Sequence, residues 1–84
     1  MDILRTYLNS LPVADQRSFA ERCDTSLGYL RKAISVGQKL SEGLCINIER
    51  ESAGAVPCES LRPDVDWAYL RGTAPPRPEA AHAA

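Results

Sequence analysis

Three thiols and one imidazole are the only soft donors in this 84-residue chain, and their spacing fits no familiar chemistry. Cys23, Cys45 and Cys58 are separated by 22 and 13 residues, and His82 lies in the terminal segment. A structural zinc site needs four nitrogen or sulfur ligands in short pairs, and neither CxxC nor CxH occurs here. An odd cysteine count also argues against a disulfide framework. The thiols therefore read as small buried apolar groups. There is no Ser/His/Asp set, no glycine-rich phosphate loop and no carboxylate pair in an apolar setting. The expectation is a protein that is not an enzyme and that needs no metal and no cofactor.

The charged residues are more informative. The formal net charge is −1, from 10 Lys and Arg against 11 Asp and Glu. That mean hides a division. From Thr25 to Ser41 the chain carries Arg31, Lys32 and Lys39 and no acid. From Glu42 onward it carries Glu42, Glu49, Glu51, Glu59, Asp64, Asp66 and Glu79 against Arg50, Arg62, Arg71 and Arg77. A partner feels the local field within roughly 8–10 Å rather than the sum, so the basic stretch can meet an anion despite the balance.

Hydrophobic spacing says what must position those cations. Ile3, Leu4, Tyr7, Leu8 and Leu11 recur at helical intervals, with Asp2 as N-cap, and predict a helix over about 2–10. A second helix runs from about Val13 to Arg22, with Val13, Gln16, Phe19, Ala20 and Cys23 along one side. Asp24, Thr25 and Ser26 break it, and Ser26 caps a third helix to about Ile34. Gly37 suits the left-handed position after that helix. Ser41 caps a fourth, to about Ser52, with Leu44, Cys45, Ile48 and Ala53 facing inward and Glu42 in its first turn. Gly54, Pro57 and Pro63 punctuate an extended connector holding Ala55 and Val56. Asp64 is expected to cap a short final helix carrying Val65, Trp67, Ala68, Tyr69 and Leu70. Residues 72–84, GTAPPRPEAAHAA, read as a mobile Pro/Ala-rich tail after a folded domain over 1–71.

The class is therefore all-α: four or five short helices in a small bundle. No uninterrupted apolar run exceeds four residues, against roughly 20 for a membrane span, and no signal-peptide pattern opens the chain. A soluble cytoplasmic protein is expected, with no membrane association.

Within that bundle, Gln16 to Ala33 (QRSFAERCDTSLGYLRKA) has the layout of a helix-turn-helix. Such a corner needs a small residue midway along its first helix, and Ala20 stands there. Phe19, Cys23 and Leu30 bracket the crossing, and Asp24-Thr25-Ser26 can stop one helix and cap the next. Asp24 occupies a turn position often given to glycine, and aspartate tolerates the left-handed conformation better than most residues. The second helix then offers Leu27, Gly28, Tyr29, Arg31 and Lys32 to a duplex. Gly28 costs about 1 kcal/mol in helix propensity, which suits a close approach of backbone to a groove. Tyr29 either meets the sugar-phosphate backbone or closes the core beside Leu8. Leu27 either touches a thymine methyl or packs under the fourth helix. Arg31 and Lys32 diverge by about 100° around a helix, so one serves bases or deep phosphate and the other the flanking backbone, unless both are solvated surface cations. Lys39 is a further phosphate candidate, and Trp67 belongs to the core or a dimer interface.

The whole order resembles the YdaS-like family of Cro-type regulators. A small helix, the helix-turn-helix and a capped fourth helix precede IERESAGAVPCESLRPDVDW. The telling pieces are FAERCDTSLGYLRKAISVGQKL (Phe19 to Leu40) and the IER, GAV and LRPDVDW segments between Ile48 and Trp67. The resemblance covers about residues 2–71 and none of the tail. It implies a lambda-repressor-like bundle of about five helices that binds double-stranded operator DNA, usually as a homodimer, in small phage and prophage repressors, some of them antitoxins. By position, Gln16 and Arg17 would contact phosphate. Ser26, Leu27, Gly28 and Tyr29 would open the recognition helix in the major groove, with Arg31 and Lys32 following. The competing expectation is an antitoxin-like subunit that binds a toxin or other protein partner through its acidic C-terminal half.

Overall fold

The computed structural model describes residues 1–71. All regular elements among them are helices: α1 (Asp2–Asn9), α2 (Val13–Arg22), α3 (Leu27–Val36), α4 (Glu42–Glu51), α5 (Cys58–Leu61) and α6 (Trp67–Leu70). None of the described helices is long and apolar enough to cross a membrane. The tail expected over 72–84 lies outside the described residues, as does His82.

The helix boundaries follow local chemistry. Ser26 and Ser41 adopt extended backbone and accept hydrogen bonds from the Tyr29 and Leu44 amides at 3.1 and 3.2 Å, starting α3 and α4 as expected. Three helices stop by the same device. After α2, the Thr25 amide donates to the Ala20 carbonyl and the Asp24 amide to that of Glu21, with Asp24 at φ 64°. After α4, Gly54 donates to Glu49 and Ala53 to Arg50, with Ala53 at φ 54°. Gly37, at φ 68°, ends α3 while Gln38 donates to Ala33. These are left-handed terminations that satisfy the last carbonyls of a helix. Gly37 fills its position without a Cβ penalty, whereas Asp24 and Ala53 carry one. Asp24 fills it as the sequence predicts.

The core gathers one stripe from each helix. Leu4 and Leu8 of α1, Phe19 and Ala20 of α2, Leu30 and Ala33 of α3, and Cys45 and Ile48 of α4 are fully buried. Tyr7 lies on Phe19 with ring centroids 5.2 Å apart and planes tilted by 57°, within the favourable range for aromatic pairs. Cys23, Cys45 and Cys58 are buried free thiols, each pushed up to about 11 chiefly by that burial. They remain protonated packing groups at neutral pH.

Several local expectations are corrected. Met1 rather than Asp2 occupies the N-cap of α1, and Asp2 lies in its first turn. Val13 is 58% exposed because α2 turns only its Gln16–Phe19–Ala20 side inward. Ala53 is exposed, displaced from the α4 stripe by its turn. The connector after α4 is not a plain extended segment: Val56 is fully buried and α5 forms within it. The Glu49 carboxylate accepts from the Cys58 amide at 2.9 Å, capping α5 from a neighbouring helix, a contact no local pattern announces. Asp66, not Asp64, caps α6, accepting from the Tyr69 amide at 3.2 Å.

Asp64 instead joins a polar clasp that closes the C-terminal segment. Arg62 donates to its two carboxylate oxygens at 3.1 and 2.8 Å, to the Leu40 carbonyl at 2.9 Å and to Glu42 at 3.4 Å. The Trp67 indole N–H donates to the Arg62 carbonyl at 2.7 Å, so the same residue holds the buried Trp67. Arg71 ties the end of α6 back to Glu49 and Glu59.

Two outcomes follow. Ala20→Leu should overpack the core where α2 meets α3 and lower stability by about 1–3 kcal/mol; a thermal melt equal to wild type would mean that this junction has spare room. The Arg62 guanidinium holds the Asp64 carboxyl well below its ordinary value, with Lys39 adding to the effect. A depressed folded-state pKa stabilises above the unfolded value of about 4 and is lost as pH falls further. Melting temperatures should thus be insensitive to pH near neutrality, where Asp64→Asn melts below wild type, and fall below about pH 4, less steeply in Asp64→Asn.

Candidate nucleic-acid interface

The corner between α2 and α3 sets the geometry of every candidate residue. Helical periodicity sends Leu30, Ala33 and Ile34 into the core, so the residues between them must face outward. Gly28 and Lys32, one turn apart, stand exposed on that outer face, with Ser26 at its start and Tyr29 beside it. No carboxylate lies on α3 itself. A Cβ built on Gly28 would meet nothing within 4 Å. No close packing among the described residues explains this glycine.

Around the N-terminus of α3 a shallow groove is lined by Arg17, Glu21, Thr25, Ser26, Leu27 and Gly28. Glu21 is a member that charge counting along the chain does not supply: it lies outside the acid-free stretch yet reaches the same edge by folding. Leu27 is half-buried and packs against the core. Tyr29 is 39% exposed, and its hydroxyl accepts from the Gln38 side chain at 3.2 Å. It stands at the surface rather than closing the core.

The two adjacent cations take different surroundings. Lys32 is exposed and makes no ion pair among the described residues. Arg31 is half-buried, and its Nη2 donates to Gln16 Oε1 at 2.9 Å. Gln16 is 8% exposed, and its Nε2 donates to the Leu11 carbonyl at 2.9 Å. Both ends of the Gln16 amide are therefore engaged within the chain, whereas its neighbour Arg17 is exposed. A relay from Leu11 through Gln16 to Arg31 thus links the α1–α2 turn to α3.

Lys39, in the α3–α4 connection, lies 3.4 Å from Asp64. Its side chain is 73% exposed, and an exposed pair of this kind contributes little, so Lys39 can exchange partners readily. Lys39 and Asp64 are 25 positions apart, and only folding brings the basic stretch against an acid from the other half. The same holds elsewhere in that half: Glu42, Glu49, Glu51, Glu59 and Asp64 all pair with arginine or lysine.

Comparison with known proteins gives one informative relative. Over 62 residues the chain is 39% identical to the protein named "Putative transcriptional regulator YdaS" of Escherichia coli (strain K12), a match covering 74% of this chain and 63% of that protein. The chain therefore spans a little under two thirds of the length of that relative. No family model matches the chain. No solved structure matches it either. That likeness over 74% of the chain supports a place for it in the YdaS-like regulator family.

Proposed function

We propose that this protein is a sequence-specific transcriptional regulator that binds double-stranded DNA with α3 in the major groove. The observation that carries the reading is the outer face of α3. It presents Gly28, Tyr29 and Lys32 to solvent with no acid on the helix, at a corner stiffened by the Ser26 cap and the Asp24 turn. A helix of about 10–12 Å diameter with its side chains fits the major groove, about 12 Å wide. Ser26, Leu27, Gly28 and Tyr29 form the leading end that meets base edges. Arg17, Lys32 and Lys39 surround it as phosphate contacts that fix register. The naming of the E. coli relative as a transcriptional regulator supports the same direction.

The finer reading is a Cro-like repressor acting as a homodimer. Two copies would set their α3 helices in successive major grooves about 34 Å apart and read a pseudo-palindrome. Occupancy would block polymerase by exclusion. The alternative, an antitoxin-like subunit that binds a toxin or other partner through an acidic face, is weakened by the ion pairing described above. Most acids of that half already meet a cation of the same chain, which leaves little net field for a basic partner.

Selection of bound duplexes from a random pool, followed by titration at several salt concentrations, tests the reading. Enrichment of a symmetric sequence, with log K falling by about 0.9 per phosphate neutralised for each unit of log salt, is expected; a pool that stays random would overturn it. Lys32→Ala should flatten that slope by about one per subunit while leaving the melting temperature unchanged. An unaltered slope would remove Lys32 from the interface.

A further inference from the structure

We infer that Gln16 serves DNA recognition as a positioning residue acting through Arg31, and does not itself touch the duplex. The inference rests on the DNA-binding reading above and deepens it. Gln16 is almost completely buried for a polar residue, at 8% exposure. Its amide nitrogen is committed to the Leu11 carbonyl and its oxygen to Arg31 Nη2, both at 2.9 Å. To reach a phosphate, the side chain would have to abandon both the part-buried bond to the Leu11 carbonyl and the bond to Arg31, which is costly for a residue itself 8% exposed. The arrangement instead fixes the direction in which the amide oxygen points, and with it the plane of the guanidinium.

The choice of an amide has a consequence for charge. Arg31 is the half-buried cation of α3, and a carboxylate at position 16 would neutralise it and could not donate to the Leu11 carbonyl. A neutral oxygen orients it and leaves its full charge available. The Nε and Nη1 donors of Arg31 make no hydrogen bond among the described residues. Nη2 keeps a second N–H, so the planar, pre-oriented guanidinium can still present a free edge to a nucleic-acid acceptor, either the O6/N7 edge of guanine or a phosphate oxygen. Lys32, exposed and flexible, supplies a point charge only. The adjacent cations thus differ in kind: Arg31 is held, and Lys32 is free.

A double-mutant cycle on the full chain tests this, using the duplex enriched by wild type. Arg31→Ala and Gln16→Met should each weaken binding on the order of tenfold. The combined variant should be no weaker than Arg31→Ala alone, because Gln16 has nothing left to position. Gln16→Glu, which can still pair with Arg31 but no longer donates to the Leu11 carbonyl, should melt below wild type, weaken binding and flatten the salt slope. Loss of preference at a single base pair in Arg31→Ala would mark a base edge as its acceptor; uniform loss with a flatter salt slope would mark a phosphate, and either agrees with the inference. If Gln16→Met costs the same factor with and without Arg31, or Gln16→Glu binds like wild type, the inference fails while DNA binding stands. Failure of wild type to enrich any sequence would sink the functional reading itself, and this inference with it.

Discussion

The molecule depends on the termination of α2. Within three residues the chain must close the last turn of one helix, reverse direction and begin α3 at the Ser26 cap. Asp24 does this in a left-handed conformation while the Ala20 and Glu21 carbonyls receive the amides of the turn. Left-handed backbone costs an L-residue roughly 1–2 kcal/mol, and the satisfied carbonyls offset that cost. Because the turn is so short, α3 has little freedom to rotate, and its inward residues are determined as soon as Phe19, Ala20 and Leu30 are buried. The outer face of α3 is then a by-product of the core: whatever does not pack must point away.

Electrostatics is organised on a different principle from the one that a linear map of charges suggests. Along the chain, a basic stretch precedes an acidic half. In the folded protein the acids are distributed over Arg22, Lys39, Arg50, Arg62 and Arg71. Arg62 is the most connected, joining the Leu40 carbonyl, the start of α4 and Asp64, while its own carbonyl receives Trp67. The acidic half therefore acts mainly as a clasp for the C-terminal helices. The cations of α3 escape it, because Arg31 meets an uncharged amide and Lys32 meets solvent.

Much of this was legible before any coordinates. The caps at Ser26 and Ser41, the glycine ending α3, the left-handed Asp24 and the four longer helices all follow from rules that act within a few residues. So does the buried, reduced state of the thiols, which needs only their apolar neighbours. The short helices were less legible for a physical reason. Four-residue elements such as α5 have no periodicity to detect, and α5 is capped by Glu49 nine positions away. Asp64 was the expected cap of α6, but Arg62 draws Asp64 away and Asp66 takes that place.

The sequence by itself determined the all-helical class, the corner between Arg22 and Leu27, and which helix would carry unopposed positive charge, because capping and hydrophobic spacing are local interactions. Only the tertiary structure decided which of those cations is held and which is free, and that Lys39 rests against Asp64. Those outcomes depend on distances between residues far apart in the chain. Such distances are set by how the helices pack, and packing is a collective property of the core.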